Sequence, residues 1–372
     1  MHIAINCLAV PPRPYGGGNY IRRLVGHLSK IDTDNQYTVY VSSTNSHHFS
    51  ELGPNFNFVS SYSHRPLRIL WEQTGLPRDL SHRKIDVFHG PAFVSPWVKV
   101  CPQVTTIFDM TWFLFPEKHT FVKRHYFKTM IPRSVRQSDV IIAISESVKK
   151  DIVRILDVPP EKVEVTYLGK EESFKPVRSA ERLGRVRAKY GLTGKAVLFV
   201  GVVEPRKNLV RLIQAFTRLK ALHGDYRLVI AGGFGWDYKE VLKAARESGI
   251  RERVLFTGFI PDEDLPELYN AAEVFVYPSL YEGFGLPVLE AMACGIPVIT
   301  SNVSSMPEVA GDAGILVDPR STADLAQALD RVLADSTLRK QMREKGLERS
   351  RLFSWEKTAR QTLEIYRQVG RV

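Results

Sequence analysis

Glu282-Gly283-Phe284-Gly285-Leu286-Pro287-Val288-Leu289-Glu290 follows the apolar run Val274 to Tyr277 and reads as a glycine loop carrying the chain from a strand into a helix. Gly283 and Gly285 allow backbone conformations and close approaches that other residues resist. Pro287 fits the first helical turn, where its missing N–H costs nothing. Glu282 then lies in the loop and Glu290 on the helix behind it, with the unpaired N–H groups of the opening turn facing any phosphate on the loop side. Carboxylates that accept hydroxyl hydrogen bonds beside a phosphate cradle are the parts of a nucleotide-sugar site.

The same strand, loop and helix unit recurs along the chain. In the first half, strands are predicted at His2 to Asn6, Tyr37 to Val41, Asp86 to His89, Val104 to Phe108 and Val140 to Ile144, with helices at Asn19 to Ser29 and Ser147 to Leu156. The second half places strands at Ala196 to Val200, Arg227 to Ala231, Val254 to Thr257, Val274 to Tyr277 and Pro297 to Thr300. Helices follow near Leu209 to Leu222, Tyr238 to Ser248, Leu286 to Ala293 and Ala323 to Asp335. This alternation predicts an α/β chain of two doubly wound, Rossmann-like domains. After a strand at Val163 to Val165, Gly169 and Pro176 break the pattern, which puts the boundary near Leu168 to Arg178. Glycine-bearing turns at Gly16 to Gly18, Gly201 to Arg206 and Glu282 to Glu290 all fall after strands, where open parallel sheets bind ligands.

The 372 residues suit two domains of ordinary size, and the apolar and charged fractions are those of a globular protein. Cys7, Cys101 and Cys294 lack the spacing of a zinc site or a disulfide framework, which points to a reducing compartment. The chain opens on a strand with no signal-like segment, and no apolar run approaches membrane-spanning length, so a cytoplasmic location is expected. The net charge of +11 is shared between the two halves rather than gathered in a tail, which speaks against nucleic acid. One local cluster, Phe121 to Lys128 continuing to Arg133 and Arg136, mixes aromatics and cations in a helix over residues 121–136. It suits peripheral contact with the anionic inner face of a membrane, or with a phosphorylated acceptor. An ordinary helix with its aromatics turned to the core explains it equally well.

Together with Gly201-Val202-Val203-Glu204-Pro205-Arg206-Lys207-Asn208, Pro14-Tyr15-Gly16-Gly17-Gly18 and Phe353-Ser354-Trp355-Glu356, the opening motif resembles those of retaining GT-B glycosyltransferases of family 4. The resemblance implies an acceptor-binding domain at residues 1–170, a nucleotide-sugar domain at 171–352, and a helix at 353–372 that crosses back to the first domain. The domains would face each other across a cleft, with the donor mainly against the second.

By resemblance, Arg206 and Lys207 hold the diphosphate. Breaking the sugar–phosphate bond builds negative charge there, and fixed cations that meet this charge best in the transition state lower the barrier. A surface Arg-Lys pair capping a turn is the bland alternative. Glu282 would contact donor-sugar hydroxyls and Glu290 the ribose, with Gly201, Gly283, Phe284, Gly285 and Leu286 completing the donor site. A lone helical Glu is usually solvated, but Val288, Leu289, Ala291 and Met292 around Glu290 favour burial with a partner. Gly17 and Gly18 would bring N–H groups to the distal phosphate, or simply form the turn that opens the next helix. The base is expected near Gly232-Gly233 and Gly258-Phe259.

The acceptor side departs from the pattern. Many relatives carry His-Asp where this chain has Phe108-Asp109. Asp109 is the candidate for orienting the acceptor or taking its proton; a strand-end Asp capping the next turn fits as well. His89 and His119 are alternative imidazoles, each also readable as structural.

The expected reaction is hexose transfer with retention, with the departing phosphate receiving the acceptor proton, as is usually invoked for the family. GDP-mannose is favoured over a UDP-sugar because the stretch from Asp109 to Lys150 looks closest to the mannosyltransferase-like branch of bacterial polysaccharide assembly. The acceptor would be a glycan or a lipid-linked sugar. No cofactor and no metal are expected: Asp32-Thr33-Asp34 reads as a turn and Asp262-Glu263-Asp264 as a helix start. A nucleotide-sugar epimerase, a phosphorylase and a non-catalytic binding partner stay open as other readings.

Overall fold

Inner strands such as His2–Asn6 and Val274–Tyr277 are almost uninterrupted apolar runs, as a parallel sheet covered on both faces requires. The computed structural model describes residues 1–14, 16–219 and 224–370. Tyr15 of the glycine loop and residues 220–222 of the expected Leu209 to Leu222 helix lie outside the described residues. Contacts divide the chain into one unit of Met1–Gly169 with Ser354–Val372 and another of Lys170–Phe353.

The first unit contains β1 (His2–Asn6), β2 (Gln36–Ser42), β3 (Phe56–Ser61), β4 (Val87–Gly90), β5 (Gln103–Ile107), β6 (Val140–Ala143) and β7 (Val163–Val165). They form one parallel sheet in the order β3-β2-β1-β4-β5-β6-β7, with Ile3 beside Tyr37 and Val87. The order reverses between β1 and β4, so the crevice for a ligand opens beyond their carboxyl ends.

The second unit repeats the design with β8 (Lys195–Val200), β9 (Tyr226–Ala231), β10 (Val254–Gly258), β11 (Val274–Tyr277), β12 (Val298–Ser301) and β13 (Gly314–Val317). The parallel order is β10-β9-β8-β11-β12-β13, and the switch falls between β8 and β11.

Two strands were not expected from the sequence, β3 and β13, and both are sheet edges. β3 buries only Phe56 of its six residues and β13 has four residues with a single buried one, so neither carries the apolar run that marks an inner strand. The Gly17–Ile31 helix starts two residues before the expected Asn19, which makes Gly17 and Gly18 its first turn rather than a preceding loop.

The last helix, Trp355–Val369, packs within the first unit. Ser354 caps it by accepting from Lys357 N, Thr358 Oγ1 donates to Tyr167 O at 2.6 Å, and Tyr366 OH lies 2.6 Å from His89 Nδ1. Gly169 leaves room for this helix, because a Cβ there would strike the backbone at Trp355.

Candidate active site

The switch between β8 and β11 brings two distant segments together. After β8 the chain turns at Gly201, φ 152°, and closes one 3₁₀ turn at Pro205–Lys207. Asn208 follows with φ 62°, its Nδ2 donating to Pro278 O at 3.0 Å and Pro319 O at 2.6 Å. These bonds fix the turn against the loops that leave β11 and precede the Thr322–Ala334 helix.

Arg206 and Lys207 therefore meet Glu282. Lys207 Nζ is 2.6 Å from Glu282 Oε1, Arg206 Nη1 is 2.8 Å from Glu282 Oε2, and Arg206 Nη2 is 2.7 Å from Glu204 Oε1. Lys207 Nζ also donates to Tyr277 OH. Glu204, Lys207 and Glu282 are buried, and two cations balance two carboxylates, as charges out of water require.

Burial alone would raise the Glu282 carboxyl, but Arg206 and Lys207 overcome it and hold the group well below the usual carboxylate range. For Lys207 burial wins: it pushes the ammonium down to about 8, Glu282 opposing and the Arg206 charge adding to it. Burial also disfavours charge on Arg206, yet Glu282 and Glu204 raise its pKa further.

The loop from Glu282 to Gly285 is clamped from the segment after β12. Ser304 Oγ donates to Glu282 O at 2.6 Å and accepts from Glu282 N at 3.1 Å, while Ser305 Oγ lies 3.0 Å from Glu282 O and 2.7 Å from Phe284 O. Gly285 has φ 108° and a Cβ there would strike Met306, so this position admits glycine alone without strain. The Leu286–Ala293 helix then begins without a side-chain cap, leaving its first N–H groups to other acceptors.

Glu290 is half-buried on that helix and accepts from Tyr269 OH at 2.8 Å. Burial pushes it up to about 7; the Tyr269 bond opposes this and the charges of Asp262 and Glu171 add to it. The turns after β8, β9 and β10 adjoin: Gly201 N donates to Ala231 O and Gly232 N to Gly258 O, each at 2.8 Å. Phe259, beyond Gly258, is 73% exposed and offers a free aromatic face.

In the first unit, Gly17, Gly18 and Phe108 line a cavity of about 420 Å³ with Asn6, Glu72, Trp112 and Phe127 among its other walls. The Gly17–Ile31 helix also begins without a side-chain cap. Gly17 is required by Phe108, whose Cε2 lies 2.5 Å from where a Cβ would stand. Asp109 is the turn cap that the sequence left open: its Oδ1 takes Thr111 N at 2.9 Å and Thr111 Oγ1 at 2.6 Å.

The two alternative imidazoles sit in different surroundings. His89 is enclosed, with Nε2 2.8 Å from Thr106 Oγ1, and burial pushes it down to about 3. His119 stacks on Trp112 at 3.7 Å and is also lowered by burial.

Arg206, Lys207 and Glu282 thus gather in the second unit, Glu290 stands on the helix that follows with Tyr269 as its partner, and Gly17, Gly18 and Asp109 stand in the first. Sequence reasoning gave no role to Glu204, Tyr277, Ser304 or Ser305. Glu204 lies in the quoted Gly201 to Asn208 motif, two residues before the arginine it binds, and was the one legible signal among them.

Residues 185–349 match Glycosyl transferases group 1, and residues 14–171 match Glycosyltransferase Family 4. O-antigen chain mannosyltransferase B of Escherichia coli is 38% identical over 284 residues, which cover 76% of this chain and 74% of that protein. Serotype-specific mannosyltransferase WbdA of Escherichia coli is 34% identical over 280 residues, 74% of this chain but 34% of WbdA. Among solved structures, sucrose-phosphate synthase of Thermosynechococcus elongatus superposes with TM-score 0.76 at 22% identity, covering 99% of both chains. HepE of Anabaena, solved with UDP and glucose, gives TM-score 0.77 at 17% identity over 99% of this chain and 100% of that one. The fold is that of the GT-B enzymes, and the chain belongs to family 4 of the glycosyltransferases.

Proposed function

We propose that the protein transfers mannose from GDP-mannose to a hydroxyl of a glycan or lipid-linked acceptor, with retention of configuration and without a metal ion, in bacterial polysaccharide assembly. The observation that carries the chemistry is the pairing of Arg206 and Lys207 on Glu282 at the β8–β11 switch. Two preorganised cations at that position suit a departing diphosphate, whose growing charge they meet without reorganisation. The departing phosphate oxygen takes the acceptor proton, which needs no separate base and agrees with the phenylalanine at position 108.

Mannose and polysaccharide assembly are supported by the names of the two Escherichia coli relatives. Metal independence is supported by the other duties of the Asp-x-Asp triplets. Asp32 Oδ2 takes Asn35 Nδ2 at 2.8 Å and Tyr37 OH at 2.5 Å, and Asp264 Oδ2 takes Lys189 Nζ at 2.5 Å.

The protein works at an anionic membrane surface. No described helix is long and apolar enough to cross a membrane. The Phe121–Gln137 helix contains no acidic residue and leaves Phe121 70% and Val122 75% exposed beside the exposed cations Lys123, Lys128 and Arg133. Leu67 and Leu70 on the Arg65–His82 helix are exposed as well. Cations around exposed apolar side chains favour an anionic bilayer by charge and by burial together.

The test is incubation with GDP-mannose and mannose-ended oligosaccharides, with and without chelator, followed by proton NMR of the anomeric signals. An axial product signal from the axial donor, unchanged by chelator, is expected. Donor conversion without acceptor would indicate an epimerase, a demand for inorganic phosphate a phosphorylase, and exclusive use of a UDP-sugar would replace the donor.

A further inference from the structure

The cavity of the first unit holds a carboxylate that the reaction above leaves unused. Glu72, on the Arg65–His82 helix, is 12% exposed in its side chain and forms part of the cavity wall. Its Oε1 takes Asn6 Nδ2 at 3.0 Å and lies 3.9 Å from Arg68 Nε. Both neighbours are themselves fixed to the segment after β1: Asn6 Oδ1 accepts from Leu8 N at 3.1 Å, and Arg68 Nη1 donates to Leu8 O at 2.9 Å. Among the described residues Oε2 of Glu72 takes no hydrogen bond, and the buried Nε of Arg68 makes none. Polar atoms left like this cost free energy until a ligand or water meets them.

Much of the remaining wall is aromatic. Trp112 is stacked by both Phe127 and His119, with centroids 3.9 and 3.7 Å away, so it meets the cavity with its edge, and Phe93 meets Phe108 edge-on at 5.2 Å. Aromatic rings with a fixed carboxylate, amide and guanidinium suit a pyranose, whose C–H groups meet the rings while its hydroxyls donate to the carboxylate. With a phenylalanine at position 108, Glu72 is the carboxylate of this cavity wall.

We propose that this cavity takes the terminal pyranose of the acceptor and that Glu72 Oε2 binds its hydroxyls, which makes Glu72 a determinant of acceptor choice. The inference rests on the transferase reading and adds the residue that selects the acceptor sugar. Arg65, Arg68 and Lys123 also line the cavity, so a phosphorylated ligand is the competing chemistry.

The experiment is saturation-transfer NMR of methyl α-D-mannopyranoside on the full chain without nucleotide, with inorganic phosphate as competitor and GDP binding measured in parallel by calorimetry. Wild type should saturate the glycoside ring protons. Glu72→Ala should abolish the signal and raise the acceptor KM at least tenfold, with GDP affinity kept within twofold. Glu72→Gln, which keeps an oxygen for Asn6 Nδ2, should cause the same acceptor-selective loss and guards against a Glu72→Ala variant that fails to fold. Glycoside binding that survives Glu72→Ala, absence of glycoside binding in wild type, or its displacement by phosphate would overturn the proposal. Glycoside binding without GDP binding would instead overturn the transferase reading and leave the sugar cavity standing.

Discussion

Lys207 Nζ and Glu282 Oε1 lie 2.6 Å apart, buried at the switch between two sheet strands, and the other oxygen of the same carboxylate lies 2.8 Å from Arg206. One glutamate thus holds both cations in place before any donor arrives. A carboxylate oxygen accepts more than one donor, so this pairing leaves Glu282 able to meet a sugar hydroxyl. Its contacts with Arg206 and Lys207 are ionic, and the hydroxyl contact that the motif implies would be added to them.

Removing that charge strands two buried cations with Glu204 as their remaining carboxylate. Glu282→Gln should lower the unfolding free energy by about 3 kcal/mol, the lower end for breaking a buried pair. Urea denaturation measures it. A loss under about 1 kcal/mol would mean that the pair is far better solvated than its burial indicates.

Lys207, pushed down to about 8 by burial, loses its proton as pH rises through that value. A diphosphate beside it raises its pKa again, so binding near and above pH 8 should take up a proton and affinity should fall as pH rises. Calorimetry in buffers of different ionisation heats reads the uptake directly, and Lys207→Arg should abolish it. Buffer-independent heats for wild type would contradict this.

Two groups shift stability with opposite sign. Glu290, raised to about 7, holds its proton in the folded chain where the unfolded chain has released it, so its contribution is lost as pH rises from about 4.5 to 7. His89, lowered to about 3, stays neutral where the unfolded chain gains a proton, so its contribution is lost as pH falls below about 6.5. In Tm profiles, Glu290→Gln should remove the decline toward pH 7 and leave the acid limb in place.

Gly17 and Phe108 should be coupled. Gly17→Ala places a methyl on the Phe108 ring and should cost roughly 1–3 kcal/mol as overpacking, most of which should vanish when the same change is made in Phe108→Ala. A double-mutant cycle gives the coupling; additive changes would show that the ring moves aside freely.

The inner strands and the Arg206, Lys207 and Glu282 group were legible because each is written in a few contiguous residues. β11 was predicted to the residue, whereas β3 and β13 were missed because an edge strand need bury little. The start of the Gly17–Ile31 helix was hidden by glycines, which normally signal a turn. Ser304 and Ser305, which clamp the Glu282 loop, and Glu72, which meets Asn6 across 66 residues, depend on tertiary proximity that no local pattern encodes.

The most direct measurement is calorimetric titration with GDP and then UDP, in chelator, of wild type and Arg206→Ala. GDP should bind at least tenfold tighter than UDP, undiminished by chelator and lost in Arg206→Ala. Equal or absent binding of both nucleotides by wild type, or affinity unchanged in Arg206→Ala, would contradict this.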